Sequence, residues 1–175
     1  KWLAENGADV TAQCNGAQGW AGGEGHLDVV KWLVENGADF VVNELFLAAA
    51  YCGKLNVAKW LVENGADVTA WDNKAIVEAS QFHLQVVKWL VEKGADVAAR
   101  NNQPIITAAE NGRLDVVQWL AKNGADVTAR NKLAARRASA RGWYHIEEWI
   151  ETHTSSNWRN AMRPSIREMM TRVAL

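Results

Sequence analysis

Apolar positions along the chain come in short bursts, each followed by a polar turn. The clearest bursts read LDVVKWLVENGAD (Leu27 to Asp39), LNVAKWLVENGAD (Leu55 to Asp67), LQVVKWLVEKGAD (Leu84 to Asp96) and LDVVQWLAKNGAD (Leu114 to Asp126). In the first, Leu27, Val30, Leu33 and Val34 recur at helical spacing, and Val29 and Trp32 widen the apolar face. Asp28 falls in the first turn, where the positive end of the helix dipole favours an acid. Each helix is expected to stop at a glycine (Gly7, Gly37, Gly65, Gly94, Gly124), because a left-handed residue after a helix costs glycine least. A helix of about ten residues is not stable alone in water. Each must therefore bury its face against a neighbour.

The bursts recur at a fixed period. Trp2, Trp32, Trp60, Trp89, Trp119 and Trp149 are separated by 30, 28, 29, 30 and 30 residues. The last copy, His145-Ile-Glu-Glu-Trp-Ile, is degenerate, and the first starts in the middle of a unit. That start is expected of a piece of a longer array. Between the bursts lies a more variable segment, best seen in Pro104-Ile-Ile-Thr-Ala-Ala-Glu-Asn-Gly and Ala75-Ile-Val-Glu-Ala-Ser-Gln-Phe. Small residues recur there in register, as Ala49-Ala50, Ala79-Ser80, Ala108-Ala109 and Ala138-Ser139, and allow two helices to approach closely. Gly25, Gly53, Gly112 and Gly142 then close this helix before the next burst. Each unit therefore predicts turn, helix, tight link and helix, and stacked units predict an all-α solenoid.

The string AAxxGxLxVVxWLxxxGADV, as in Ala108 to Val127, resembles the ankyrin repeat. The resemblance covers nearly all of residues 1 to 153, with a partial first unit at 1–9. Pro104-Ile105 falls at the Pro-Leu of the family's TPLH motif, where Pro104 would open the first helix, and Gly25-His26 matches its Gly-His. The unit is near 30 residues instead of about 33. The shortfall lies between the GAD triplet and the first helix, for example Asp126 to Ala134, where the family has a protruding finger. The expected solenoid therefore has shortened finger turns. Such short, TPLH-poor units are similar to the ankyrin proteins of giant DNA viruses of amoebae. The asparagine that the family carries after Asp-Val is replaced by Thr11, Val42, Thr69, Ala98 and Thr128, so hydroxylation there is not expected.

The tail departs from the repeat. Trp158, Met162, Ile166, Met169, Met170 and Val173 recur on one helical face beside Arg159, Arg163 and Arg167, which predicts a helix within 154–175. It would either cap the last repeat or dock on a second partner. Residues 16–25 hold five glycines in a helix position, and this helix is expected to fray.

Composition narrows the chemistry. The chain has 175 residues and a net charge of −1, so whole-chain charge favours neither nucleic acid nor membrane. No apolar run approaches the roughly 20 residues of a membrane span. Cys14 and Cys52 give no disulfide framework and no metal spacing, and read as thiols in a reducing, intracellular and cytoplasmic setting. His26, His83, His145 and His153 show no metal-ligand spacing, and the resemblance places His26 and His83 in the family's inter-helix turn, where it implies a structural hydrogen bond. The run Gly19-x-x-Gly22-Gly23-x-Gly25 lacks the strand and the Gly-Lys-Ser/Thr of a phosphate loop. Neither a catalytic site, a metal site nor a cofactor is expected.

The resemblance implies a non-catalytic protein-binding scaffold, met by its partners on finger turns and first helices along the concave face. The alternative is a structural component of a larger assembly such as a virus particle. Positions that vary between copies are the candidate contacts: Asn43, Glu44, Tyr51, Trp71, Asn73, Lys74, Gln81, Phe82, Arg100, Gln103, Glu110, Asn111, Arg130 and Lys132. Trp71 is expected to be exposed, and the repeat tryptophans to be core. Charge is uneven: residues 1–126 carry 10 Lys/Arg and 16 Asp/Glu, residues 127–175 carry 9 and 4. The basic end reads as a solvated cap, with nucleic-acid contact the less favoured reading.

Overall fold

A computed structural model describes residues 21–35 and 42–154. The expectations for the partial first unit, for residues 16–20 and for the tail beyond 154 lie outside the described residues. Residues 21–24 are helical, and nine further helices follow among the described residues. They are α1 (Leu27–Glu35), α2 (Val42–Tyr51), α3 (Leu55–Glu63), α4 (Ala70–Ala79) and α5 (Leu84–Glu92). Then come α6 (Ala99–Glu110), α7 (Leu114–Lys122), α8 (Ala129–Ala140) and α9 (Tyr144–Thr154). The all-α solenoid of helix pairs is therefore as expected.

Two rows of helices form the stack. The first helices α2, α4, α6 and α8 pack closely on one another in sequence, whereas α3, α5 and α7 touch only lightly. Side-chain size explains the difference. Ala49, Ala50, Ala79, Ser80, Ala108, Ala109 and Ala138 are all completely buried in the first row. The second row carries Leu, Val and Trp. Small residues draw the first helices together while bulky ones hold the second helices apart, so the stack curves with the first row inside. Ser80 is the one buried polar side chain among the described residues, and its hydroxyl donates to the Ile76 carbonyl at 2.6 Å.

The core runs unbroken through the units, from Phe46, Leu61 and Ile76 to Leu90, Ile105, Leu120, Ile146 and Ile150. Trp89 is 8% exposed and meets the Phe46 ring edge-on, with centroids 6.4 Å apart. Trp60, Trp119 and Trp149 are only half-buried against this core. The expectation that all repeat tryptophans are core is corrected to that extent: the splayed outer row leaves one side of each ring to solvent.

Glycine stops α3, α5 and α7 as expected, while Gly7 and Gly37 lie outside the described residues. After α3, Ala66 N–H donates to the Leu61 carbonyl and Gly65 N–H to Val62, with Gly65 at φ +99. This is the paired bonding of a left-handed helix stop, and it recurs at Gly94 and Gly124. From the small-residue pair to the next helix the chain is one residue shorter between α4 and α5, Ala79 to Leu84 against Ala108 to Leu114, and has no glycine: His83 N–H bonds Ala79, four residues back, where Arg113 N–H bonds Ala108, five back.

Candidate functional site

The shortened finger is a left-handed turn. Trp71, Asp72 and Asn73 all have φ between 50 and 57, and Arg100-Asn101-Asn102 and Arg130-Asn131-Lys132 repeat that geometry. Three consecutive left-handed residues are costly for most side chains, and Asn and Asp tolerate the region best. Five of the nine are Asn or Asp. The right-handed part of α6 begins after Asn102, so Pro104 lies in its first turn, where its missing N–H breaks no helical bond.

These turns are bonded from unit to unit. Asn43 Oδ1 accepts from Asp67 N–H (2.8 Å), Asn73 from Asp96 (2.9 Å) and Asn102 from Asp126 (2.6 Å). The aspartates whose amides donate these bonds fold their carboxylates back on their own turns: Asp67 Oδ1 accepts from both the amide and the hydroxyl of Thr69. Those two bonds hold its carboxyl below the usual carboxylate range. Arginines reach the other way. Arg100 donates to the Trp71 and Asp72 carbonyls, and Arg130 to the Arg100 carbonyl and the Gln103 amide oxygen. The finger edge is thus a ladder, with asparagine and arginine rungs between successive units.

Asn43, Asn73, Arg100 and Arg130 therefore carry framework bonds in addition to any contact they offer. Trp71 is 45% exposed on the outside of its turn, as expected. Glu44 is exposed at the start of α2, and Lys74 and Gln103 are half-buried at the matching place on α4 and α6. Tyr51 and Phe82 are exposed at the far ends of α2 and α4. Gln81 is tied to Glu78, and Asn111 to the Thr107 carbonyl. Glu110 accepts from Arg137 and Arg141, and Lys132 pairs with Glu151. The candidates thus divide into a group on the finger turns and a group on the first helices and their far ends.

Residues 45–131 match the family model described as ankyrin repeats (3 copies), and residues 19–62 match that described as ankyrin repeats (many copies). Residues 19–131 are ankyrin repeats. No curated protein matches the chain. Ankyrin repeats are in general protein–protein interaction modules. In this ankyrin array the left-handed turn takes the place of the finger. A turn of that kind was missed in the sequence, although the Asn/Asp runs Asp72-Asn73 and Asn101-Asn102 were its signal.

No group of His, Cys, Asp or Glu that could hold a metal occurs among the described residues, and no described helix is long and apolar enough to cross a membrane. His83 occupies the inter-helix link, over Gly53. Burial lowers its pKa from the ordinary 6.5, against the Tyr51 carbonyl, which favours the charged form; Arg113 and Lys54 add to the lowering. A depressed histidine pKa makes the unfolded chain bind the proton better. Stability is therefore complete above about pH 6.5 and should fall as pH drops from there through the folded-state value. Histidine NMR should show the His83 ring titrating below the unfolded value; titration at or above it would reject the neutral, packed ring.

The ladder makes a second expectation. Asn102→Gly removes one side-chain bond and should cost about 1 kcal/mol. Asn102→Ala also places alanine at φ 62 and should cost about 1 kcal/mol more. Urea denaturation of the two variants checks the order; an alanine variant as stable as the glycine one would remove the backbone part of the argument.

Proposed function

We propose that this array is a non-catalytic scaffold that holds another protein along its finger edge and inner helix row. The observation that carries the reading is Trp71: a large aromatic side chain left 45% exposed on a turn whose backbone carbonyl Arg100 fastens from the next unit. A rigidly held, solvent-facing tryptophan supplies large contact area at little entropic cost, the usual make-up of an interface hot spot. The neighbouring Glu44, Lys74 and Gln103 differ in charge from copy to copy, and so present a distinct surface to a partner.

The test is affinity capture with the full chain, followed by titration of the captured and identified protein against wild type and Trp71→Ala. A loss of about 2 kcal/mol, roughly thirtyfold in Kd, is expected if Trp71 is a hot spot. Unchanged affinity would overturn the finger-edge reading. The second reading rests on the shortness of the TPLH-poor units alone, the feature that suggested ankyrin proteins of giant DNA viruses. A role as a component of a particle would appear as a fixed stoichiometry of this chain in purified particles.

A further inference from the structure

We propose that the partner presents a short acidic segment, rich in Asp or Glu, to the basic end of the inner row at Arg136, Arg137 and Arg141. This rests on the scaffold reading above and adds the chemistry of the partner. Among the first helices, α8 is the one whose charge is wholly positive. It carries Arg130, Lys132, Arg136 and Arg137 with no acid, and Arg141 follows it, whereas α2 holds only Glu44 and both α4 and α6 hold charges of both signs.

Register makes the departure sharper. Arg136 stands where α2, α4 and α6 place Leu47, Val77 and Ile106. Val77 and Ile106 are buried, while Arg136 is exposed. A helix that ends a stack can carry charge on a face its siblings bury, but a neutral polar residue would serve that purpose equally. Arg137 and Arg141 converge on one carboxylate oxygen, Glu110 Oε1, at 3.5 and 3.1 Å. Two guanidinium groups thus share one acid, and the Arg136 guanidinium has none among the described residues. The chain's own last residues do not redress this, since 155–175 hold four Arg and one Glu. Guanidinium forks take carboxylates in a bidentate manner, which suits Asp and Glu side chains.

The patch is also bounded. Lys132 is engaged by Glu151 of α9 on the finger side, and Glu147 and Glu148 lie on that same helix. A long run of phosphates would meet these carboxylates, whereas a segment of a few acidic residues would not. That favours an acidic peptide over a nucleic acid.

The experiment titrates the full chain with a fluorescent hexaglutamate peptide, read by anisotropy at low and at physiological salt. Binding that weakens as salt rises is expected. The Arg136→Glu/Arg137→Glu variant should weaken it about tenfold or more, while Lys59→Glu, an exposed charge on α3, leaves it unchanged. Melting curves should match wild type for Lys59→Glu and fall only slightly for Arg136→Glu/Arg137→Glu, which loses the part-exposed Arg137–Glu110 pair. No peptide binding, or equal loss in the two variants, overturns the proposal. So does tighter binding of a single-stranded oligothymidylate that displaces the peptide. Concentration-dependent self-association abolished by Arg136→Glu/Arg137→Glu would assign the patch to a second copy and also overturn it. A captured partner that needs Trp71 but ignores the arginine substitutions would leave the scaffold reading standing and reject the acidic segment.

Discussion

Trp89→Ala should destabilise the array by about 3–5 kcal/mol, the range for truncating a large buried aromatic residue. Trp89 is 8% exposed and lies edge-on to Phe46, a residue of α2 completely enclosed by the core. Removing the indole therefore leaves a cavity walled by two different units, α2 on one side and the α5 neighbourhood on the other. Neither wall can collapse without shifting its own stack, so the cost should fall near the top of the range. Trp71→Ala removes a residue of the same type from an exposed turn and should cost well under about 1 kcal/mol. Far-UV circular dichroism in urea is the suitable readout, because fluorescence sums over ten tryptophans. Comparable large losses at both positions would contradict the assignment of one to the core and the other to the surface.

Gly53→Ala should cost about 2–4 kcal/mol, from two sources that can be separated. Gly53 has φ +73, a left-handed conformation that is strained for alanine. A Cβ added there would also lie 2.6 Å from Cε1 and 2.8 Å from Cγ of the His83 ring, too close for the ring to stay in place. Gly65 shares the left-handed backbone, at φ +99, but a Cβ there meets nothing within 4 Å. Gly65→Ala should therefore show the backbone strain alone, about 1–2 kcal/mol. Adding His83→Ala to Gly53→Ala should recover the part due to the ring, which a double-mutant cycle isolates. If Gly53→Ala and Gly65→Ala cost the same, the close stacking of His83 on the preceding link has no energetic weight.

Much of this architecture was legible in the residues themselves. The tryptophan period, the GAD stops and the paired small residues give the unit, its two helices and the order of stacking. They do so because each follows from a local rule: helical periodicity, left-handed glycine and close packing of Ala on Ala. The finger edge was less legible. Asn43 and Asn73 stand out in sequence as variable surface, because no pattern in one unit tells that an amide side chain is bonded to the backbone of the next. The degree of burial of Trp60 and Trp119 was likewise hidden, since it depends on how far the outer helices splay. The one-residue-shorter spacing from Ala79 to Leu84 was visible as a missing glycine, but the change from a five-residue to a four-residue hydrogen bond needs the backbone.

The finger-edge bonds also have a direction. Asparagine side chains reach forward, from Asn43 to Asp67, from Asn73 to Asp96 and from Asn102 to Asp126, and arginines reach back. Every interior unit therefore has a socket and a plug, and a duplicated unit spliced between Asp96 and Asp126 would find both matched. After α8 the socket is changed: Lys132 stands in the asparagine place and holds Glu151 of its own unit. An ammonium group has no lone pair to accept an amide proton. Lengthening the array beyond α9 by unit duplication would thus require two changes together, Lys132→Asn and a Gly-Ala-Asp turn in place of Glu151-Thr-His-Thr, because the plug and the socket are altered in the same unit.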